Sequence, residues 1–257
     1  MLANRQVAVP GILGGLGPLS HITFEQRLIE RSVQRGAQQD QDHPVWILIS
    51  ATATPDRTDS LKGIATDCVP WLVHYGQRLE RAGADFMVVT CNTAHAFYEQ
   101  VQSQLNLPWM PMIDCTIAKI WEEFPWVRRV GILATDGTLT AGIYHQTLLR
   151  WGYQSLFPGL NSPLQRRVMQ AIYHPDWGIK TTGTRISNQA LTALHSAAHR
   201  LYTQGAEIVV AGCSEISVGL AQLESLPLPW IDPLEVMADA VLDVTFGQRS
   251  LYLPKVA

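Results

Sequence analysis

The sequence predicts an α/β protein with two pseudo-symmetric lobes, each a parallel sheet flanked by helices, and a functional site in the cleft between the lobes. Three observations carry this prediction. The second half of the chain repeats segments of the first half, and short apolar runs alternate with longer amphipathic stretches in both halves. The 257 residues are also enough for two lobes with separate hydrophobic cores.

The repeat has a period of about 120 residues. Its matching segments, which occur in the same order in both halves, are 9–31 with 130–152, 80–97 with 202–219, and 107–120 with 226–240. Three matches at nearly the same separation indicate an internal duplication, so the two halves should share one topology.

The strands are predicted at short apolar runs. In chain order these runs are VAVPGIL (7–13), VWILIS (45–50), FMVVT (86–90), WMPMI (109–113), RVGILAT (129–135), IVVAG (208–212) and PWI (229–231). Between them, amphipathic stretches at 21–36 and 68–83 predict helices that end near Gly36 and Gly83. Strands that alternate with helices form βαβ units, which predicts a parallel sheet in each lobe.

The predicted lobes divide the chain near its middle. Residues 1–115 form the first lobe, which carries Cys91 and also receives a C-terminal helix at about 232–247. Residues 116–231 form the second lobe, which carries Cys213. This division places one cysteine at the same point of each repeat.

Two segments lack a regular pattern. The segment 157–184 contains one helical stretch, 162–173, and then a Gly- and Pro-punctuated loop of a length that is often functional. The segment 248–257 is predicted to be an irregular tail, in which Tyr252 and Leu253 could dock on the body of the protein or on a partner chain.

The composition excludes several classes of function. Apolar residues make up 47% and charged residues 16% of the chain, and the net charge of −3 comes with no basic cluster, which argues against nucleic acid or an anionic membrane as a partner. No apolar run reaches the roughly 18 residues that span a bilayer. The four cysteines form no CxxC pair, which argues against a zinc site. Free thiols without an export signal predict a cytoplasmic protein.

Two of the cysteines follow predicted strands at matching places of the repeat. Cys91 follows FMVVT and Cys213 follows IVVAG, and each precedes a stretch with a helical pattern. A helix N-terminus supplies backbone N–H groups and partial positive charge, which should lower the pKa of each thiol. Cys68 and Cys115 have no counterpart in the repeat and are predicted to be ordinary core residues.

Two thiols on opposite sides of one cleft suit the inversion of a carbon centre. One thiolate removes a proton from one face of the carbon while the opposite thiol delivers a proton to the other face. A hydrolytic cysteine enzyme would instead need one nucleophilic cysteine and a histidine.

Six motifs together carry a resemblance to a known family. They are GGLGP (14–18), PDRT (55–58), CNTAH (91–95), GILATDGT (131–138), IK (179–180) and GCSEI (212–216). With these motifs the chain resembles the aspartate/glutamate racemase family, and within it the aspartate racemase branch. The resemblance, which runs from about Gly11 to Asp232, implies a cofactor-independent amino-acid racemase with one catalytic cysteine in each lobe, Cys91 and Cys213. It further implies that Cys213 acts on the L-enantiomer and Cys91 on the D-enantiomer.

The residues beside the thiols are candidates for holding the substrate. Asn92, Thr93 and Ser214 could bind its α-carboxylate, although these residue types also cap helices in many proteins. Glu215 matches a family glutamate and could accept a hydrogen bond from the substrate ammonium or orient Cys213, the alternative being an exposed glutamate at a helix start. His95, a full turn beyond Cys91, is predicted to pack or to hydrogen-bond.

Four further candidates lie outside the thiol turns. Arg57 and Lys180 match family positions linked to carboxylate binding, and a guanidinium binds a carboxylate bidentately. The alternative for both is a solvated surface charge. Thr138, the counterpart of Pro18, could donate to the substrate, and Leu16 could approach it through a backbone N–H beside the glycines.

The resulting prediction is an aspartate racemase that forms a homodimer, as the resemblance suggests, and that needs no cofactor and no metal. GGLGP lacks the spacing of a dinucleotide fingerprint, and no lysine stands in a recognisable pyridoxal-phosphate setting. The alternatives are a glutamate or broad-specificity racemase, or a maleate-isomerase-like or decarboxylase-like enzyme of the same fold. A non-catalytic dicarboxylate-binding protein is the alternative from another class.

Overall fold

The strands of the protein form two parallel sheets, and the computed structural model describes residues 6–251. The strands are β1 (Pro10–Gly14), β2 (Ile47–Ser50), β3 (Phe86–Val89), β4 (Arg129–Ala134), β5 (Gln154–Leu156), β6 (Ile208–Gly212) and β7 (Trp230–Ile231). The first sheet has the order β2-β1-β3 and the second the order β5-β4-β6-β7.

Helices connect the strands and flank both sheets. They are α1 (Pro18–Gln34), α2 (Arg57–Leu61), α3 (Val69–Arg81), α4 (Tyr98–Gln102), α5 (Met112–Glu123), α6 (Asp136–Ala141), α7 (Ile143–Arg150), α8 (Pro163–Tyr173), α9 (Ile179–Thr182), α10 (Asn188–Thr203), α11 (Ser214–Leu220) and α12 (Pro233–Thr245). The predicted helix ends at Gly36 and Gly83 are confirmed, since both glycines follow their helices with positive φ.

The predicted repeat is visible in the topology. β1 lies between β2 and β3, and β4 lies between β5 and β6, so an inner strand of each sheet opens one copy of the repeat. β3 and β6 precede Cys91 and Cys213 in equivalent positions. The fold therefore brings both thiols to the carboxyl ends of their sheets, as predicted.

The buried side chains form three clusters. One cluster lies on the side of the first sheet that α3 covers, and another on the side of the second sheet that α8 and α10 cover. The third is shared by both sheets and contains buried residues of α1, α5, α7 and α12. The two halves are thus joined by a common core.

The last helix, α12, lies against α1 and α5. Arg31 of α1 pairs with Glu235, and Arg35 pairs with Asp239 at 3.0 Å and with Asp243 at 2.7 Å. This contact suits the predicted return of the C-terminal helix to the first lobe, and the lobe boundaries themselves stay a prediction.

Two strand predictions differ from the structure. WMPMI forms no strand: Trp109 makes only a single bridge to Met87, and α5 begins at Met112 directly after Pro111. Proline at this position lacks the N–H that a strand would use and favours a helix start. β5 was not predicted, because Gln154 and Ser155 interrupt any apolar run.

The chain after α12 has neither helix nor strand through Leu251, and the predicted docking residues Tyr252 and Leu253 lie outside the described residues. Within 6–251, no helix combines the length and the apolar character that a membrane span requires.

Candidate active site

A single cavity between the two halves contains both thiols. Its lining residues are Leu16, Arg57, Cys91, Asn92, Thr93, Thr135, Tyr173, Lys180, Cys213, Ser214 and Glu215. Every site residue predicted from the sequence is in this set, with the exception of Thr138. The duplicated strand ends therefore do bring the candidate residues together.

Thr138 lies behind the cavity. Its hydroxyl is 2.9 Å from that of Thr93 and 3.2 Å from that of Thr135, and its side chain is buried. These contacts satisfy the hydroxyl within the protein and leave Thr138 outside the cavity lining, so its direct contact with a substrate stays a prediction. Thr138 links the first thiol turn to the second half.

Two lining residues were missed by the sequence analysis. Thr135 follows β4 directly, so the rule that ligands lie beyond the carboxyl ends of parallel strands could have found it. Tyr173 ends α8, and its hydroxyl donates to Asp56 of the first half at 3.2 Å. No local pattern marks this tyrosine, because its role arises from a contact between residues far apart in the chain.

Glycine is required at two points of the GGLGP turn. Gly15 has a φ of +82°, and a Cβ there would lie 2.5 Å from the backbone nitrogen of Ala51. A Cβ on Gly17 would lie 2.2 Å from Oε1 of Glu215. The turn can thus bring Leu16 to the cavity wall, beside Glu215, the carboxylate that contacts Cys213.

Arg57 lies beside the first thiol and is buried. Asp56 caps α2 by accepting from the backbone N–H groups of Thr58 at 2.8 Å and Asp59 at 3.1 Å, which fixes the start of the helix that carries Arg57. Burial lowers the pKa of Arg57, but the charge of Cys91, helped by that of Asp56, more than offsets burial, and the pKa is raised. Arg57 is not the solvated surface charge of the alternative interpretation.

The guanidinium of Arg57 is largely engaged by backbone. Nη1 donates to the carbonyls of Thr54 at 3.3 Å and Pro55 at 2.9 Å, and Nη2 donates to the carbonyl of Leu16 at 2.6 Å. Arg57 therefore holds the GGLGP turn and its own loop together while it faces Cys91.

The second thiol has a different set of partners. Sγ of Cys213 donates to Oε2 of Glu215 at 3.1 Å, and Nζ of Lys180 donates to Oε1 of Glu215 at 2.7 Å. Glu215 is 4% exposed, so it is not the exposed helix-start glutamate of the alternative interpretation. Burial raises the pKa of Glu215, but the ammonium of Lys180 outweighs burial and leaves the pKa below its ordinary value.

The expected lowering of the thiol pKa does not hold for Cys213. Burial raises its pKa well above the ordinary value, and the Glu215 carboxylate raises it further, against the lowering effect of Lys180. Full desolvation and an adjacent negative charge outweigh the short helix α11. Cys213 is a protonated thiol at neutral pH in this arrangement.

Each thiol turn is held by a helix of the opposite half. The hydroxyl of Tyr144, on α7, donates to Oδ1 of Asn92 at 2.5 Å. The hydroxyl of Ser20, on α1, donates to that of Ser214 at 2.6 Å, and Ser214 donates to Oε2 of Glu215 at 3.3 Å. Asn92 makes no helix-capping hydrogen bond, which removes the capping alternative for its side chain.

His95 stabilises the turn that follows Cys91 by a hydrogen bond to its backbone. A helical stretch was predicted after Cys91. The structure instead has a 3₁₀ turn at Thr93–Phe97, which is followed by α4. Nδ1 of His95 donates to the carbonyl of Cys91 at 2.9 Å, and Nε2 accepts from the N–H of Met112 at 3.4 Å. Burial lowers the pKa of His95 to about 4, so the ring is neutral and its predicted hydrogen-bonding role is confirmed.

The remaining cysteines are core residues, as predicted. Cys68 and Cys115 are buried, and burial raises the pKa of each to about 11. Within residues 6–251, no group of three or more His, Cys, Asp or Glu side chains is placed to hold a metal ion.

Comparison with known proteins places this site in context. A sequence model described as Asp/Glu/Hydantoin racemase matches residues 13–241. The chain is 25% identical over 248 residues to a broad-specificity amino-acid racemase of Bacillus subtilis (strain 168), covering 93% of this chain and 99% of that protein.

Solved structures share the fold. An aspartate racemase of Picrophilus torridus superposes with a TM-score of 0.78 at 24% identity, covering 93% of this chain and 94% of that one. A glutamate racemase of Francisella tularensis, solved with D-glutamate, superposes with a TM-score of 0.60 at 16% identity, covering 100% of this chain and 86% of that one.

Proposed function

The chain belongs to the Asp/Glu/hydantoin racemase family and is an amino-acid racemase, and we propose that it acts on aspartate by a two-thiol mechanism that needs no cofactor. One observation carries the mechanism. Cys91 and Cys213 follow equivalent strands of two repeated halves and line the same cavity. Such a pair reaches a bound Cα from two sides.

We assign the starting roles of the two thiols from their contacts. Cys213 donates to Glu215, so we take it as the acid, and Cys91 lies beside the guanidinium of Arg57, so we take it as the base. In the direction that starts from the D-enantiomer, which the family resemblance gives to Cys91, the Cys91 thiolate takes the Cα proton and becomes a thiol, while Cys213 gives its proton to the opposite face and becomes a thiolate. The reverse reaction, from the L-enantiomer, starts with the thiolate on Cys213. The enantiomer that leaves has the inverted configuration, and the two thiols have exchanged roles.

The carboxylate of the substrate gains enolate character as the Cα proton leaves. Asn92, Thr93 and Ser214 line the cavity directly after the thiols and supply amide and hydroxyl groups for this charge. Lys180, whose side chain is 25% exposed, is the cation that we assign to the second carboxylate of aspartate. Glu215 receives the substrate ammonium or holds Cys213, and its bond to Sγ favours the second role.

A broad-specificity racemase is the second candidate, and one observation favours it. Lys180 is already paired with Glu215, and the guanidinium of Arg57 already donates to three carbonyls, so both cations have partners before a substrate binds. A site that does not need a second substrate carboxylate to satisfy its cations can accept an amino acid with a neutral side chain. The broad-specificity relative in Bacillus subtilis agrees with this alternative.

Incubation with a panel of L-amino acids in heavy water separates these possibilities. We expect deuterium at Cα and formation of the D-enantiomer, fastest with aspartate, by NMR and chiral chromatography. Comparable rates with alanine would favour the broad-specificity enzyme. A protein that binds aspartate in a thermal-shift assay yet exchanges no Cα proton from any amino acid would be a binding protein and not a racemase.

We further propose a homodimer in the cytoplasm, on the strength of the sequence resemblance and the four unpaired cysteines. Light scattering coupled to size-exclusion chromatography tests the dimer, and cell fractionation tests the location.

A further inference from the structure

We propose that Tyr144 is a positioning residue, which orients the side-chain amide of Asn92 so that its Nδ2 donor faces the cavity between the two thiols. The proposal rests on the proposed function, in which Asn92 receives the substrate carboxylate. It assigns a role to a residue of the second half that has no contact with the cavity itself.

The contact between the two side chains is short and sequestered from water. The hydroxyl of Tyr144 donates to Oδ1 of Asn92 at 2.5 Å, and both residues are 1% exposed. Burial raises the pKa of Tyr144, so the hydroxyl keeps its proton and stays a donor. Thr116 also lies beside this hydroxyl but donates to the carbonyl of Met112 at 2.8 Å, so Tyr144 supplies the donor for Asn92.

The other end of the amide is unpartnered. Nδ2 of Asn92 is buried and has no hydrogen-bond partner among the described residues. Oxygen and nitrogen diverge from one amide carbon, so a donor that holds Oδ1 directs Nδ2 away from Tyr144. Asn92 is a lining residue of the cavity, and a buried N–H₂ group without a partner carries an energetic penalty until an acceptor reaches it. A carboxylate oxygen is such an acceptor.

Without the tyrosine hydroxyl, the amide would have two orientations. An asparagine side chain presents an acceptor and a donor of nearly the same shape, and only its partners decide which way it points. An Oδ1 turned toward the cavity would repel a carboxylate instead of binding it. Tyr144 therefore determines whether Asn92 attracts a carboxylate through Nδ2 or repels it through Oδ1.

The repeat provides an internal comparison. Phe24 is the counterpart of Tyr144, and Ser214 is the counterpart of Asn92. A hydroxyl group can rotate and both donates and accepts, so Ser214 can meet an acceptor without an orienting tyrosine, and the equivalent position is held by Phe24, which carries no polar group. The tyrosine is therefore present in the pair whose target is an amide, Tyr144 with Asn92, and absent from the equivalent pair, Phe24 with Ser214.

The experiment is a double-mutant cycle. Tyr144→Phe removes one hydroxyl, and Asn92→Ala removes the amide. We expect Tyr144→Phe to lower kcat/KM for L-aspartate by roughly tenfold in the wild-type background. In the Asn92→Ala background the same change should have almost no effect, because the group through which Tyr144 acts is gone. Calorimetric titration with L-aspartate should show the same pattern in Kd.

Tyr153→Phe is the matched control, since Tyr153 is another buried tyrosine of the second half and lies outside the cavity. It should leave kcat/KM unchanged. Equal losses from Tyr144→Phe in both backgrounds would assign the tyrosine a general packing role and overturn the proposal, and so would full activity of Tyr144→Phe.

The proposal and the proposed function fail in different ways. A wild-type protein that exchanges no Cα proton would refute racemisation, while the titration would still report whether Tyr144 acts on carboxylate binding through Asn92. An active wild type with an equally active Asn92→Ala would leave racemisation standing and overturn the positioning role.

Discussion

The two thiol turns descend from one repeated unit, but they place their sulfurs in different surroundings. Cys91 faces Arg57, whereas Cys213 donates to Glu215, which in turn pairs with Lys180. The counterpart of Glu215 in the first half is Thr93, a neutral residue. Each sulfur therefore has a cation nearby, Arg57 or Lys180, but only the sulfur of Cys213 is bonded to a carboxylate.

The duplication accounts for where the two sulfurs lie, and the substitutions that differ between the halves account for their different chemical surroundings. The shared topology places two sulfurs at equivalent strand ends. The partners of each sulfur then decide where the proton rests, because a carboxylate beside a buried thiol disfavours the thiolate. A symmetric scaffold thus carries an asymmetric pair of acid and base.

The largest expected effect comes from removing either thiol. Cys91→Ser and Cys213→Ser should each lower racemisation by at least about 10²–10⁴-fold, because a serine hydroxyl is a far weaker base than a thiolate. Each variant should still exchange the Cα proton of one enantiomer, which proton NMR in heavy water follows. By the family resemblance, Cys91→Ser should exchange L-aspartate and Cys213→Ser should exchange D-aspartate.

The pH dependence of this residual exchange sharpens the comparison. The pKa of Cys213 is raised, so its thiolate fraction grows only at alkaline pH. Exchange by Cys91→Ser, which relies on Cys213, should therefore be slow at pH 7 and increase toward pH 10. Exchange of both enantiomers by one variant would show that a single mobile base reaches both faces.

Glu215→Gln tests the source of the asymmetry. Without the carboxylate, Lys180 acts on Cys213 alone, and the thiolate should become more accessible. We expect the alkylation of Cys213 by iodoacetamide at pH 8 to accelerate roughly tenfold relative to Cys91, measured by peptide mass spectrometry. The two cysteine residues are similarly exposed, Cys91 at 7% and Cys213 at 5%, so Cys91 is an internal reference.

Glu122→Gln is the matched control for this charge removal, because Glu122 is exposed and lies on α5, outside the cavity. It should leave both alkylation rates unchanged. An unchanged rate at Cys213 in Glu215→Gln would mean that burial alone sets the protonation of this thiol.

Removal of Lys180 and removal of Arg57 should change the substrate preference of the enzyme in different ways. Lys180→Ala should lower kcat/KM for aspartate by about 10–100-fold more than for alanine, if Lys180 binds the second carboxylate. Arg57→Ala should lower both, because Arg57 also holds the backbone carbonyl of Leu16 in the cavity wall and two carbonyls of its own loop. Equal losses on both substrates in Lys180→Ala would assign the lysine to Glu215 alone and favour the broad-specificity enzyme.

A further difference between the halves concerns stability in acid and leaves the reaction itself aside. His95 has a serine, Ser217, as its counterpart in the second half. The pKa of His95 is lowered from 6.5 to about 4, so below pH 6.5 the unfolded chain binds a proton that the folded chain does not. The free energy of unfolding should fall by about 3 kcal/mol between pH 6.5 and pH 4 from this group. His95→Gln, compared by urea titration, should lose this part of the pH dependence.

The sequence predicted the placement of the site better than its internal contacts. The duplicated strand ends sufficed to find Cys91, Cys213 and their neighbours, because a parallel sheet brings its carboxyl ends to one edge. The position of Thr138 outside the cavity lining and the presence of Tyr173 in that lining were not foreseen, because both depend on side chains of the opposite half. The predicted lowering of the pKa of Cys213 was wrong, because the sequence shows the start of a helix but neither the burial of the thiol nor its contact with the Glu215 carboxylate, and both raise the pKa.

The salt bridges between α1 and α12 have a consequence for how the protein is made. Arg31 and Glu235 are 204 positions apart in the chain, and Arg35 and Asp243 are 208 apart. During translation, α1 leaves the ribosome long before its partner helix has been synthesised. The face of α1 that α12 covers stays open until nearly all of the described chain has emerged, so an interrupted chain that already carries both cysteines still lacks part of the shared core.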